Sequence, residues 1–359
     1  MAEPRTGHPY HMHDAILAQP GAFGEVVRRS AAAVEALAGA IDPGGRLFLV
    51  GTGTSLHAAL VGEHLFRLHG AGREARAVPA FDFALDGPAL TAQDTVVVLS
   101  HRGTKQYSVA ALQRACAAGC RTALICGQGA PPSPVAPDAV LPTVPQELSS
   151  AHTISYAGAL AALAALAGAV GRRAGRPTLD GVLLTGGLPA LLAGALAAEP
   201  EVAALAARHA GHRRIWIAGA GVDAVTAAEI ALKIKESSYL QAEGMAAEAM
   251  LHGPFQCLEA ADLVILIATA RPGVERLEAL ARMAEEVGAA RLWVGSAQAP
   301  GEGCDLLAVP EAPAPLSCLT CLVPLQLLAY HLALTRGTDP DAFRLNDPRF
   351  ARAARHARL

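Results

Sequence analysis

The chain repeats its own pattern of apolar runs and glycine turns at a fixed distance. One apolar run ends at Gly51 and a similar run ends at Gly219, 168 positions later. A second pair of runs ends at Gly127 and Gly295, which are also 168 positions apart. Two separate landmarks with one spacing indicate two halves that share an architecture.

Both halves contain runs that are apolar along their whole length, each followed by a turn and a helical pattern. Such strands, alternating with helices, are typical of a parallel sheet that helices cover on both faces. We therefore predict an α/β fold with two tandem, doubly wound domains: residues 1–195, with a short helical leader, and residues 196–359, with a C-terminal tail. The runs expected to form strands are 46–50, 95–100, 122–126, 215–218, 263–268 and 291–294.

Composition excludes several classes of protein. Of the 359 residues 52% are hydrophobic and 17% are charged, and the net charge is -3. A nucleic-acid-binding protein usually carries a basic surface, so we expect no nucleic-acid partner. The run 154–170 comes closest to a membrane span, but it is short and two arginines follow it, which favours a buried helix. We expect no membrane partner and, since no secretory signal is recognisable, a cytoplasmic location.

The cysteines and the leader histidines do not indicate a metal site. Seven cysteines at irregular spacings fit a reducing compartment rather than a disulfide framework. Cys318 and Cys321 form one Cys-x-x-Cys inside an apolar run, where core packing is expected rather than zinc binding. His8, His11 and His13 lie in a polar leader and are expected to be solvated.

The glycine turn after the first strand of each half does not fit a dinucleotide cofactor. The third glycine of the G-x-G-x-x-G pattern is replaced by Leu56 in one half and by Ala224 in the other. The next strand also lacks the terminal acidic residue that would bind a ribose. We therefore predict no cofactor, and the hydroxyls of Thr52, Thr54 and Ser55 suit polar contacts with a sugar.

The segment Ser-His-Arg-Gly-Thr-Lys at 100–105 follows a predicted strand and precedes a predicted helix. Its donors would add to the backbone N–H groups and the dipole of the helix N-terminus, which together favour a tetrahedral anion. The chain has only three lysines, Lys105, Lys233 and Lys235, so a lysine in this loop is unusual.

Three segments resemble one enzyme family. They are Gly-Thr-Ser at 53–55, the stretch 231–254, which contains Leu-Lys-Ile-Lys-Glu-Ser-Ser-Tyr and ends in Leu-His-Gly-Pro, and the stretch 323–341, which ends in Gly-Thr-Asp-Pro-Asp. All three resemble, in the same order, the isomerase domain of glucosamine-6-phosphate synthase, a member of the sugar isomerase (SIS) family. The glutaminase domain of that enzyme has no counterpart in the sequence, so glutamine-dependent amination is not expected of this chain alone.

The resemblance implies three catalytic residues. Glu236 would move a proton between C1 and C2 of a sugar, Lys233 would lie beside it, and His252 would assist ring opening. In the family this histidine comes from the neighbouring subunit, which implies a homodimer. The spacing agrees independently, because Glu229, Lys233 and Glu236 share one face of a helix, and a neighbouring lysine favours the carboxylate form of a base.

Departures from the family pattern concentrate in the anion loop. His101, Arg102, Thr104 and Lys105 replace smaller or acidic family residues, so the loop is cationic, and His152 replaces a family serine. The family's C-terminal ring-opening lysine is absent, because no lysine follows Lys235, and Arg344 or Arg349 of the tail could at most bind charge. The candidate binding residues are Gly53, Thr54, Ser55, Ser100, His101, Arg102, Thr104, Lys105, Ser150, His152 and Arg349.

Two classes of function remain open. The first is an aldose–ketose isomerase, or an amino-sugar deaminase-isomerase, that acts through a cis-enediol or enolamine on a six-carbon sugar with a terminal anion. That anion is a phosphate or, given the cationic loop, a sulfonate. The second is a non-catalytic SIS protein that binds a sugar phosphate and regulates a partner. Retention of Glu236 and His252 favours the enzyme, whereas the missing lysine favours the regulator.

Overall fold

The chain folds into two compact units, seen in a computed structural model that describes residues 5–176, 179–269, 272–295 and 299–357. The N-terminal unit comprises Ala18–Glu147, Ile154–Pro189 and the described residues from Ala353 onward. The C-terminal unit comprises the described leader as far as Leu17, Leu148–Thr153 and Ala190–Arg352. The units thus differ from the predicted division after residue 195, because the leader and a short inner segment group with the C-terminal unit.

The N-terminal unit alternates strands and helices along the chain. Its elements are α2 (Gln19–Ala40), β1 (Leu47–Gly51), α3 (Thr54–His69), β2 (Ala75–Pro79), α4 (Ala80–Asp86), β3 (Thr95–Leu99), α5 (Gln106–Ala117), β4 (Arg121–Gln128), β5 (Ala139–Pro145), α6 (Ile154–Arg173) and a π-helical turn at Leu183–Gly187. Helix α7 (Leu188–Leu196) leads in sequence to the C-terminal unit.

The C-terminal unit repeats this alternation. Its elements are α1 (His11–Leu17), α8 (Glu199–His209), β6 (Arg214–Gly219), α9 (Val222–Ser238), β7 (Gln241–Ala246), α10 (Ala247–Leu251), a 3-10 turn at Pro254–Cys257, β8 (Leu263–Ala268), α11 (Val274–Val287), β9 (Ala290–Gly295), β10 (Cys304–Ala308), α12 (Ser317–Thr335) and the start of α13 (Pro348–Ala354).

Both sheets have five parallel strands in the same order. The order is β2-β1-β3-β4-β5 in the N-terminal unit and β7-β6-β8-β9-β10 in the C-terminal unit, and every strand pair is parallel. This confirms the predicted α/β fold with two doubly wound halves. In the N-terminal sheet, β2 lies on one side of β1 and β3 lies on the other. The boundary between β1 and β3 is therefore the topological switch point, and the loops after these two strands flank the crevice where such sheets bind ligands.

The glycine turns of the two halves adopt the same backbone conformation. Gly53 and Gly221 both have φ of 56°, in the left-handed region, and each immediately precedes a helix. A Cβ on Gly51 would lie 2.5 Å from the backbone of Ser55. A Cβ on Gly219 would likewise lie 2.3 Å from the backbone of Asp223, so only glycine fits at either position. The spacing read from the sequence therefore corresponds to a structural repeat.

An Arg–Asp ion pair with a buried carboxylate joins two neighbouring strands of each sheet at their starts. Arg46 bonds Asp94 at 2.6 Å and Arg214 bonds Asp262 at 2.8 Å, and both pairs are again 168 positions apart. The two carboxylates are 1% and 0% exposed. The pair therefore belongs to the repeated framework, because it joins the residue before the first strand to the turn before the third.

Two helices are long and apolar enough to cross a membrane, α6 and α12, and a bent pair of helices, Leu183–Leu196 with Glu199–His209, passes the same test when counted together. In α6 and α12, however, 89% and 83% of the tested residues are buried within the protein. Cys318 and Cys321 of α12 are 2% and 0% exposed, which confirms the predicted core packing of the Cys-x-x-Cys.

The leader is docked on the C-terminal unit instead of being solvated. Asp341 accepts hydrogen bonds from the backbone N–H groups of His11 at 2.8 Å and Met12 at 2.9 Å, the first residues of α1. His13 is only 8% exposed, and its Nε2 lies 2.7 Å from a carboxylate oxygen of Glu199. His331 Nε2 lies 3.0 Å from the same oxygen. The expectation of a solvated His13 was therefore wrong, because α8 and α12 supply it with a partner.

Candidate functional site

Helix α9 carries three charged residues on one face in the C-terminal unit. The Lys233 ammonium lies 2.6 Å from a carboxylate oxygen of Glu236 and 3.5 Å from one of Glu229. The side chains of Lys233 and Glu229 are fully buried, whereas that of Glu236 is 20% exposed. Since a buried ammonium is costly unless it is paired, the two carboxylates explain how Lys233 can be buried.

The exposed part of Glu236 opens onto a cavity of about 410 Å³. The cavity contains two cations, one carboxylate, one amide and a cluster of aromatic rings. Its lining residues are Lys235, Glu236, Tyr239, Leu240, Gln241, Phe343, Arg344 and Phe350. A carboxylate fixed by a buried lysine and open to a cavity is the arrangement that a general base requires, since it must be ionised and within reach of a ligand.

The C-terminal tail contributes one of its two candidate arginines to the cavity. Arg344 lines the cavity, and its guanidinium lies over the rings of Tyr239 at 5.2 Å and Phe350 at 4.2 Å. Arg349, the tail arginine placed among the candidate binding residues, does not line the cavity; its side chain is 75% exposed and bonds Asp347 at 2.8 Å, so its contact with a ligand stays a prediction. The choice between the two tail arginines depends on a tight turn that the residue pattern did not reveal.

His252 lies on the surface of the C-terminal unit. Its side chain is 75% exposed, and its Nε2 lies 3.1 Å from Glu248. It does not line the cavity beside Glu236. Within one chain, therefore, these two predicted catalytic residues do not share this cavity, and a role for His252 in a partner's site stays a prediction.

The hydroxyl loop after β1 starts α3 at the switch point of the N-terminal sheet. Gly53, whose predicted role is sugar binding, supplies the left-handed turn, and Thr54 and Ser55 form the first turn of the helix. Both side chains are half-buried. The loop therefore presents hydroxyl groups and the N-terminus of a helix at the edge of the sheet where ligands bind in this fold.

Ser100 directly follows β3, on the other side of the same switch point. It is 3% exposed, and its Oγ has no hydrogen-bond partner among the described residues. A buried hydroxyl without a partner costs about 1–3 kcal/mol, so such groups usually have a functional reason. Its position between the two loops agrees with the predicted contact with a ligand.

The cationic loop divides into an inward and an outward part. His101 is half-buried, its Nε2 accepts a hydrogen bond from the backbone N–H of Glu147 at 3.1 Å, and its ring packs against Gly127. Arg102, Thr104 and Lys105 are exposed just before α5. His101 therefore fixes the loop's conformation, and the exposed residues are the ones that remain available to an anion.

Partial burial of the amino group, and secondly the nearby charge of Arg102, lower the pKa of the Lys105 ammonium, although the residue as a whole is exposed. An anion bound between these two cations would offset their repulsion. The loop is therefore electrostatically prepared for a negatively charged group at the N-terminus of α5.

The segment containing Ser150 and His152 belongs to the C-terminal unit. Ser150 donates its backbone N–H to the carbonyl of Asp341 at 3.0 Å, next to the cap of α1. Both Ser150 and His152 are half-buried. Neither lines the cavity beside Glu236, so their predicted contact with the sugar stays a prediction.

The C-terminal unit has no counterpart of the hydroxyl loop at its own switch point. Asp223, which occupies the position equivalent to Ser55, is fully buried. It accepts hydrogen bonds from the backbone N–H of Thr269 at 2.9 Å and from its hydroxyl at 2.6 Å. The loop after β6 and the loop after β8, which would flank a ligand in this sheet, are thus bonded to each other.

Comparison with known proteins agrees with this architecture. The SIS domain model matches residues 41–169 and 210–336. A glutamine–fructose-6-phosphate aminotransferase (isomerizing) of Thermococcus kodakarensis is 30% identical over 354 residues, which are 95% of this chain and 58% of that protein. This chain thus spans less than two thirds of that relative.

Two solved structures have the same fold. The C-terminal domain of glucosamine-fructose-6-phosphate aminotransferase from Francisella tularensis superposes with a TM-score of 0.85 at 19% identity, covering 94% of this chain and 99% of that one. Tagatose-6-phosphate ketose/aldose isomerase from Escherichia coli gives 0.78 at 18% identity, covering 95% and 97%. With two matched regions that contain the two sheets, the chain belongs to the SIS domain family.

Proposed function

We propose that the protein is an aldose–ketose isomerase, or an amino-sugar deaminase-isomerase, for a six-carbon sugar with a terminal anion. The observation that carries the proposal is the buried Lys233–Glu236 pair, whose carboxylate opens onto a cavity. The relatives' printed activities, an isomerizing aminotransferase and a ketose/aldose isomerase, support the same chemistry.

Glu236 acts as the base in this proposal. Its carboxylate takes the C2 proton of the open-chain aldose, the bonding electrons form the C1–C2 double bond, and O1 gains a proton to give a cis-enediol. The same carboxylic acid then delivers its proton to C1 while the O2 proton leaves, which yields the ketose. An amino group at C2 gives the corresponding enolamine. Lys233 keeps Glu236 ionised between turnovers.

The loops of the N-terminal unit hold the sugar. Ser100 donates its buried hydroxyl to the substrate, and Thr54 and Ser55 add hydroxyl contacts. Arg102 and Lys105, at the N-terminus of α5, bind the terminal anion, which is a phosphate or a sulfonate. A hydrogen bond from a charged donor contributes about 1.5–3 kcal/mol to binding, so the contacts of Arg102 and Lys105 can dominate affinity.

We further propose a cytoplasmic homodimer in which His252 assists ring opening in the partner's site. Support comes from the exposure of His252, which within its own chain bonds only Glu248 among the described contacts. A ring-opening group that lies away from its own base fits a site shared by two subunits.

Proton exchange tests the proposal directly. The protein is incubated in D2O with aldose, ketose and amino-sugar 6-phosphates and with 6-deoxy-6-sulfoglucose, and exchange at C1 and C2 is followed by NMR. We expect exchange on one substrate class, reduced by about 10²–10⁴-fold in Glu236→Gln because the base is lost. Glu243→Gln, an exposed glutamate on β7, is the matched control.

The result also separates the alternatives. Turnover of the phosphate but not of the sulfonate would reject the sulfosugar form of the proposal. Tight binding without exchange on any member of the panel would instead reject the isomerase and favour the regulatory protein.

A further inference from the structure

The cavity beside Glu236 holds more positive charge than the base requires. Lys233 already balances the carboxylate from the buried side, yet Lys235 and Arg344 also line the cavity. The one carboxylate in the same turn as Arg344, Asp347, is held by Arg349 at 2.8 and 3.2 Å. No described acidic side chain lies within 4.0 Å of the Arg344 guanidinium.

The guanidinium is nevertheless held in place. It lies over the rings of both Tyr239 and Phe350, at 5.2 and 4.2 Å from their centroids. The Tyr239 hydroxyl donates a hydrogen bond to the carbonyl of Asp339 at 3.4 Å. Stacking fixes the plane of an arginine while leaving its edge available, which suits bidentate binding of a carboxylate.

Backbone strain is concentrated around the same cavity. Four non-glycine residues have positive φ in the described chain, and three of them line it: Tyr239 at 60°, Phe343 at 46° and Arg344 at 58°. Such conformations cost about 1–3 kcal/mol each and persist mainly where function requires them. Strain that places a stacked arginine next to the base indicates a binding role for that arginine.

We propose that this cavity is a second anion subsite, in which Arg344 and Lys235 bind a carboxylate carried by the reacting end of the sugar. The inference rests on the proposed function, since it places Glu236 at C1 and C2. The aromatic rings of Tyr239, Phe343 and Phe350 then contact the carbon atoms that join this carboxylate to the sugar. The substrate class is an anionic hexose with a second, carboxylate-bearing group at or next to C2.

A matched pair of ligands tests the subsite. N-carboxymethyl glucosamine 6-phosphate and N-ethyl glucosamine 6-phosphate have similar size and differ in the carboxylate. Affinities are measured by titration calorimetry, and C2 exchange is followed separately in D2O. We expect the wild type to prefer the carboxymethyl compound, and Arg344→Met to weaken its binding about 10–100-fold while leaving the ethyl compound unchanged.

A control variant and a second subsite variant complete the series. Arg352→Met removes an exposed arginine from α13, the helix that contains the cavity-lining Phe350, and should change neither affinity. Lys235→Met should weaken only the carboxymethyl compound, and less than Arg344→Met does, because a lysine forms no bidentate pair.

The outcomes distinguish the subsite from the proposed chemistry. Equal wild-type affinities, no binding of the carboxymethyl compound, or an equal loss for both ligands in Arg344→Met would overturn the subsite, whether or not exchange occurs. An Arg344-dependent preference without C2 exchange on either ligand would support the subsite and reject Glu236 as the base.

Discussion

The Ser100 hydroxyl is buried and has no hydrogen-bond partner among the described residues. Its strand neighbours are fully buried apolar residues of β3, so an alanine would fit the core equally well. We therefore predict that a serine at this position serves a ligand rather than the stability of the sheet.

Ser100→Ala should separate these two roles. Without ligand, the free energy of unfolding should stay unchanged or rise by up to about 1 kcal/mol, because an unsatisfied hydroxyl is removed. Affinity for the sugar ligand should fall by about tenfold. Urea unfolding and calorimetry with the phosphate or sulfonate that exchanges best would measure both. A marked loss of stability in the free protein would instead assign Ser100 a structural role.

Sequence reasoning found the charged face of α9 but not all the geometry of the candidate residues. Spacing predicted that Glu229, Lys233 and Glu236 would meet, because a regular helix fixes such neighbours. It gave no sign that His101 points inward, since that depends on the backbone N–H of Glu147 in a distant loop. The choice between Arg344 and Arg349 was equally hidden, because left-handed residues in a tail leave no periodic pattern.

At the scale of elements, the leader helix α1 is attached through titratable side chains. Hydrogen bonds from His13 and His331 lower the pKa of Glu199, outweighing the opposing effect of burial. Burial lowers the pKa of His331, outweighing its bond to Glu199. His8 and Tyr330 also face this cluster, with His8 Nδ1 at 2.8 Å from the Tyr330 hydroxyl.

Both shifts have the same consequence for pH. When the pKa of a group is lowered in the folded protein, the state with α1 detached binds protons more readily. The attachment of α1 therefore weakens as pH falls. This loss begins below about 6.5 through His331 and continues below about 4.3 through Glu199. We expect the hydrogen-exchange protection of the α1 amides to decrease between pH 7.5 and pH 5. Glu199→Gln should lower protection at pH 7.5 and flatten this dependence, whereas Glu201→Gln, exposed on the same helix, should not. A pH-independent protection in the wild type would contradict this interpretation.

Central strands were easier to predict than edge strands. The six predicted runs all form strands, and 263–268 coincides with β8. The edge strands β2, β5, β7 and β10 were not predicted. They are partly exposed, β5 contains two prolines, and edge positions tolerate the polar residues and prolines that obscure a strand pattern.

At the scale of the whole molecule, the proposed sharing of His252 between subunits has a specific consequence. Glu236→Gln and His252→Ala should each be nearly inactive alone. When the two variants are unfolded together and refolded at equal amounts, half of the dimers are mixed, and each mixed dimer contains one site with both residues intact. Activity should therefore recover to about a quarter of the wild-type value. The mixture would stay inactive if each chain supplied its own histidine.

The two-domain organisation could be predicted from the sequence because the 168-residue spacing of the glycine turns is the same throughout, even where the residues of the two halves differ. The grouping of the leader with the C-terminal unit did not, since it depends on Asp341 capping α1 from a position over 300 residues away in the chain. Local patterns carry no record of such contacts.

The bond between Asp223 and Thr269 has a meaning for the history of the chain. Both halves keep the Arg–Asp pair and the glycine turn, which indicates descent from a single ancestral module by duplication. Once two copies were joined, one crevice could be closed by its own side chains while the other copy kept an open one. In the proposed isomerase the base, Glu236, lies on α9 of the copy whose own crevice is closed. The two copies would then have diverged into different tasks within that proposal.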